Sequence, residues 1–140
     1  MGDCSKEITL EKARPEQFYS VFKSHANRLK TICPDIVRDI QLADGATDWE
    51  AVPGLRKTID YQFTNGRLYK IKDKVDKVDA STKTITYVID EGEIKDNISK
   101  IKLQVKDNST AVWTISYIKN VPDDYLNLME SVSKAVDKSL

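Results

Sequence analysis

Lys57 is the residue best placed by its surroundings to do chemistry. In the run from Leu55 to Phe63 the odd positions are Leu55, Lys57, Ile59, Tyr61 and Phe63, and the even ones are Arg56, Thr58, Asp60 and Gln62. Strand side chains alternate between two faces, so this spacing puts an ammonium on the apolar face. An unpaired charge in a dry core is costly. The face must therefore offer a partner, water or a wet cavity, unless Lys57 lies near enough to the strand end to carry its amine out along its stem. The same inward row holds polar-tipped aromatics, Tyr61, Tyr87, Trp113 and Tyr117, with Tyr125 on a helix. Buried Tyr and Trp usually need a hydrogen-bond partner. Several on one concave face fit a ligand cavity with an apolar wall and a few polar anchors. They also fit an ordinary core.

Other chemistries are poorly supported. His25 is the one histidine and has no cysteine or aspartate beside it, which argues against a metal site or a Ser-His-Asp triad. Gly45 and Gly54 are too far apart for a phosphate-binding loop or a dinucleotide fingerprint. Asp90, Glu91 and Glu93 cluster where a strand ends and read as solvated acids. No cofactor and no metal is expected.

The elements that position Lys57 and the aromatics centre on a hairpin from Arg67 to Glu93, turning at Asp79-Ala80-Ser81-Thr82. Its second strand alternates cleanly, with Ile85, Tyr87 and Ile89 on one face and Thr84, Thr86 and Asp90 on the other. Its first strand is crowded with charge and its apolar phase slips. Tyr69, Ile71 and Val75 share odd parity, whereas Leu68 and Val78 are even, which predicts a bulge or sharp bend.

Before the hairpin the spacing predicts a strand over Glu7–Glu11 and a helix opening at Arg14-Pro15-Glu16. A second short helix over His25–Ile32 is ended by Pro34. A strand on Ile36, Ile40 and Leu42 follows, then an irregular loop, the Leu55–Phe63 strand and an Asn65-Gly66 turn. After the hairpin come strands on Ile101–Val105 and Ala111–Tyr117. A terminal helix opening at Pro122 carries Tyr125, Leu128, Met129, Val132, Ala135 and Val136 on one stripe. About 18 residues at roughly 1.5 Å each give it about 27 Å, enough to cross a small domain.

The bulk numbers agree. The 140 residues suit one domain with a real core. Lys plus Arg equals Asp plus Glu at 22 each, so no charge footprint points to nucleic acid or to an acidic membrane. The opening residues have no apolar stretch like a secretory signal, and no run is long enough for membrane insertion, so a cytoplasmic location is expected. Cys4 and Cys33 lie outside any CxxC spacing and read as free thiols. A monomer or weak dimer is expected.

Several stretches resemble one family. Residues 72–79 (KDKVDKVD) and 86–92 (TYVIDEG), with Ala13-Arg14-Pro15-Glu16-Gln17-Phe18, Val52-Pro53-Gly54 and Val112-Trp113-Thr114-Ile115-Ser116-Tyr117, resemble the birch-pollen-allergen superfamily. That group holds the class-ten pathogenesis-related proteins and the major latex proteins of plants; the last strand resembles the latter more. The resemblance spans nearly the whole chain, as a single domain over 1–140. It implies an α+β fold, a seven-stranded curved antiparallel sheet gripping a long C-terminal helix, with two short helices after the first strand. It also implies a large cavity between sheet and helix for a hydrophobic or amphipathic plant metabolite, in a defence or stress setting. Some members are enzymes of alkaloid metabolism. On an enzyme, Lys57, Lys70 or Asp73 would be the acid or base.

Carried over by position, Lys57, Ile59, Tyr61, Lys70, Asp73, Tyr87 and Ile89 would line that cavity. Trp113, Ile115, Tyr125, Leu128 and Met129 complete the candidate ligand-binding set. The resemblance places Leu68 and Lys70 inward, whereas parity places Tyr69 and Ile71 inward. The loop before Gly54 has few of the family's glycines. The strand after Gly92 starts early, so a narrower cavity than usual is expected.

Overall fold

A computed structural model describes residues 2–63, 66–92, 97–118 and 123–140. The elements run β1 (Gly2–Thr9), α1 (Pro15–Ser24), a 3-10 turn (Ala26–Arg28) leading into α2 (Leu29–Ile32), β2 (Val37–Leu42), β3 (Arg56–Gln62), β4 (Leu68–Asp79), β5 (Thr84–Gly92), β6 (Ile98–Lys106), β7 (Thr110–Tyr117) and α3 (Asp123–Ser139). The seven strands form one antiparallel sheet in the order β1-β7-β6-β5-β4-β3-β2. This is the expected α+β architecture. An antiparallel sheet can keep one face wet, so the other must be covered. Here the covered face packs on α3, α1 and α2.

Register shifts interrupt β2, β4 and β6, which is the usual means of bending a sheet around a core. The predicted phase slip in β4 is one of them. Ile71, Asp73 and Val75 are buried in odd parity; the ladder then skips between Val75 and Lys77, and Val78 packs partly against the core. The slip in β2 went unread. Its buried residues are Val37 and Ile40, of opposite parity, because the pairing shifts between Val37 and Asp39. At the β4–β5 turn the Asp79 carboxylate accepts from the Ser81 N–H and hydroxyl and from the Thr82 N–H, so the turn is locally capped.

Two boundaries differ from expectation. β1 begins at Gly2, because the whole segment pairs with β7, from Gly2 opposite Tyr117 to Thr9 opposite Thr110. The second helix is a 3-10 turn followed by one α turn, since the backbone leaves the helical region at His25 (φ −135°, ψ 33°). The turn predicted at Asn65, the strand break at Glu93 and the helix start at Pro122 lie outside the described residues.

Two buried contacts tie the terminal helix down, and Lys6 on β1 adds a surface contact to Asn127 and Glu130. The Trp113 indole N–H donates to the Ser133 hydroxyl at 2.7 Å. The buried Asp137 carboxylate accepts three successive backbone N–H groups, from Glu11, Lys12 and Ala13, at 2.8, 3.0 and 2.7 Å. Burial alone would raise the Asp137 pKa, but these three donors pull it below the ordinary range.

Candidate functional site

Lys57 on β3 and Asp73 on β4 are direct cross-strand partners. Both point onto the covered face, at 9% and 5% exposure. The Lys57 ammonium donates to the Asp73 carboxylate at 2.7 Å and sits 4.1 Å from the centre of the Tyr87 ring. Parity had already turned Lys57 inward; the ladder supplies its partner. Burial pushes the Asp73 carboxyl above its usual range, and Lys57 offsets only part of that. Asp90 adds to the rise.

Three phenols join the pair. Burial holds Tyr61, Tyr87 and Tyr125 well above the usual phenol range, with Asp73 adding to each, so all three stay neutral donors. Tyr61 on the sheet and Tyr125 on α3 meet edge to face at 6.0 Å. Phe22 on α1 meets Trp113 on β7 in the same way at 5.4 Å. Side chains therefore do touch across the gap between sheet and helices.

What remains is a void of about 30 Å³. It has room for one or two waters. A site holding a drug-sized ligand has about 300–1,000 Å³. The large cavity implied by the resemblance is thus corrected to a small one, in line with the expected narrowing. A second void, about 10 Å³, shares Phe22, Ala26, Lys57 and Tyr87 with the first. It is closed by Trp49, Ala51 and Leu55 from the β2–β3 loop. That loop is held to α1, where Glu50 accepts from Lys23 and Ser24 and the Ala51 N–H donates to the Lys23 carbonyl.

Of the candidate residues, Lys57, Ile59, Tyr61, Asp73, Tyr87, Trp113, Tyr125 and Met129 line the larger void. Ile89, Ile115 and Leu128 are buried but belong to the packed core beside it. Lys70 is a correction. It is exposed and borders a surface depression with Thr58, Lys72 and Glu91 on the outer face. Leu68 is also exposed, at 51%. The register shifts lie after Lys72, too late to turn Lys70 inward, so parity read this stretch correctly. Tyr117 is only half-buried, at the end of β7 over Gly2.

Sequence reasoning missed Phe22, Ala26, Leu29, Ile101 and Val132 as lining residues. A signal for most of them existed. Val132 follows Tyr125 and Met129 at i, i+4, i+7, the spacing of one helix face; Phe22, Ala26 and Leu29 share that spacing in sequence, though a break at His25 separates Phe22 from the other two. Among the described residues no group of His, Cys, Asp and Glu could hold a metal, and no helix is long and apolar enough to cross a membrane.

Comparison with known proteins agrees with this architecture. The model of the pathogenesis-related protein Bet v 1 family matches residues 1–140, and the chain belongs to that family. It is 25% identical to MLP-like protein 43 of Arabidopsis thaliana, over all of this chain and 93% of that one. In fold it is similar to the ginseng major latex-like protein 151 from Panax ginseng, with a TM-score of 0.87 at 18% identity, covering 99% of this chain and 96% of that one. It is similar in fold also to norcoclaurine synthase from Thalictrum flavum, solved in complex with dopamine and hydroxybenzaldehyde, with a TM-score of 0.66 at 14% identity, covering 98% and 84%.

Proposed function

We propose that this member of the Bet v 1 family takes a small hydrophobic or amphipathic molecule into the space between sheet and α3, acting as one binding domain. The observation that carries this is the convergence of Lys57, Asp73 and the Tyr61, Tyr87 and Tyr125 side chains on one apolar-walled void. A core built only for stability has little use for such groups, since well-packed apolar residues in place of a buried ion pair are often as stable or more so. The present void is too small for a metabolite, so uptake requires side chains to move apart. The plant defence or stress setting implied by the resemblance goes with this reading.

The test is a titration with N-phenyl-naphthylamine, a neutral dye that fluoresces in apolar surroundings. Saturable one-to-one binding is expected. It is expected to be lost in Ala26→Leu, which adds three carbons beside both voids. No saturable binding, or binding that Ala26→Leu leaves unchanged, would count against uptake into this space.

One observation favours a second reading, an enzyme on the same scaffold. Lys57 and Asp73 are an amine and a carboxyl within hydrogen-bonding distance at the void. An assay of metabolite mixtures for product, with Lys57→Met and Asp73→Asn as controls, separates the two. Dye binding without turnover leaves the carrier; turnover lost in both variants makes the protein an enzyme.

A further inference from the structure

The void carries one positive and one negative group, and they already satisfy each other. Among the residues lining it, Lys57 and Asp73 are the charged ones; the rest are apolar side chains and three phenols. The cross-strand ladder fixes the two at a 2.7 Å contact. From this we infer that the site selects ligands by charge. It takes neutral molecules bearing a hydroxyl or carbonyl on an apolar body and rejects organic acids and amines, with Asp73 setting the choice. This rests on the uptake reading above.

The physical reason is the number of charges. A neutral hydroxyl donates to Asp73 and accepts from Lys57, and both ions keep their partner. A carboxylate would bring a second anion within reach of Asp73, in a site with a single cation. It would leave water with no counterion of its own, and charge buried unpaired is strongly disfavoured. An amine meets the mirror problem at Lys57. The phenols of Tyr61, Tyr87 and Tyr125, held neutral by burial, donate or accept but supply no charge.

The test uses three probes of one shape, naphthylethanol, naphthylacetate and naphthylethylamine, by calorimetry near neutral pH. The wild type is expected to bind the alcohol at least about tenfold more tightly than either ion, the scale set by like-charge contact in a desolvated site. Asp73→Asn leaves Lys57 without its counterion, so naphthylacetate is expected to gain at least about tenfold over the alcohol relative to wild type.

Acetate binding as tightly as the alcohol in wild type would overturn charge selection while leaving uptake intact. An unchanged acid-to-alcohol ratio in folded Asp73→Asn would overturn the role of Asp73. Should that variant fail to fold, the wild-type series decides alone. Failure of all three probes, together with the neutral dye, would overturn the uptake reading itself.

Discussion

If Lys57 and Asp73 are kept for a ligand and not for the fold, their energetics should show it. Lys57→Met strands a carboxyl in an apolar wall at 5% exposure. That carboxyl escapes by taking a proton, so the part of the penalty due to the stranded charge cannot exceed the free energy of protonation. From an ordinary carboxylate value of about 3.9 to pH ~7 is about 3 units, or about 4 kcal/mol; at pH ~5 it is about 1.5 kcal/mol. The sign follows from linkage. In the variant the folded state holds a proton that the unfolded state releases above about 3.9, so stability falls as pH rises. Asp73→Leu strands the ammonium and is expected to lose about 3–5 kcal/mol, less whatever its stem recovers by reaching outward. The double variant Lys57→Met/Asp73→Leu removes both charges at conserved bulk and should return to wild-type stability or exceed it by about 1–4 kcal/mol. Urea unfolding of the four proteins at the two pH values measures all of this. A double variant as unstable as the sum of the singles would show the pair to be structural. A Lys57→Met penalty that does not change with pH would refute the protonation argument.

Four further outcomes are expected. Asp137→Ala leaves the Glu11, Lys12 and Ala13 N–H groups without their acceptor and should lose about 3 kcal/mol in urea unfolding. Because the folded Asp137 pKa is depressed, its contribution is present above the unfolded carboxylate value and lost as pH falls through the folded one. The acid limb of the stability curve should therefore flatten in Asp137→Asn. Lys70→Glu should leave dye affinity within about twofold, since Lys70 lies on the outer face and a surface charge contributes little there; a larger loss would return Lys70 to the site. Gly92→Ala should destabilise by about 2–4 kcal/mol, read as a drop in melting temperature: Gly92 has φ +127° and its added Cβ would lie 2.6 Å from the Lys70 carbonyl oxygen.

The fold was legible where faces alternate. Ile85, Tyr87 and Ile89 defined β5 and the Tyr125–Val136 stripe defined α3, because each buries one side against the same core. β1 was cut short because residues 2–6, GDCSK, have no apolar rhythm; their place is set by pairing with β7, a long-range fact. Lys57 was legible by parity; Asp73 shares the odd parity of Ile71 and Val75 but was singled out only through the resemblance, and its pairing with Lys57 was not legible. Charges occupy so many positions of β4 that no one of them stands out, and only the β3–β4 register puts Asp73 opposite Lys57. Narrowing was expected from the early strand after Gly92, but the size of the void was not legible. It depends on how far Tyr61, Phe22 and Met129 reach across the gap, which is a matter of rotamers and crossing geometry, not of residue order.

A nearly closed interior serves a binding role only if one wall yields, and the two walls differ in how easily they do. Lys57, Tyr61, Asp73 and Tyr87 sit on β3, β4 and β5, each paired on both sides, so displacing one breaks ladder hydrogen bonds. The helical wall is less constrained. Met129 has a flexible thioether chain. Phe22 and Ala26 straddle the break at His25. The buried anchors of α3, Ser133 and Asp137, lie beyond Tyr125 and Met129, whereas the first half of the helix is held to β1 by the more exposed contacts of Lys6 with Asn127 and Glu130. On the uptake reading, the charged pair Lys57 and Asp73 thus sits on the rigid side, and Phe22, Ala26 and Met129, with Tyr125, on the adjustable side. Such a division would let one arrangement of the pair discriminate by charge while the volume offered to the rest of the molecule varies.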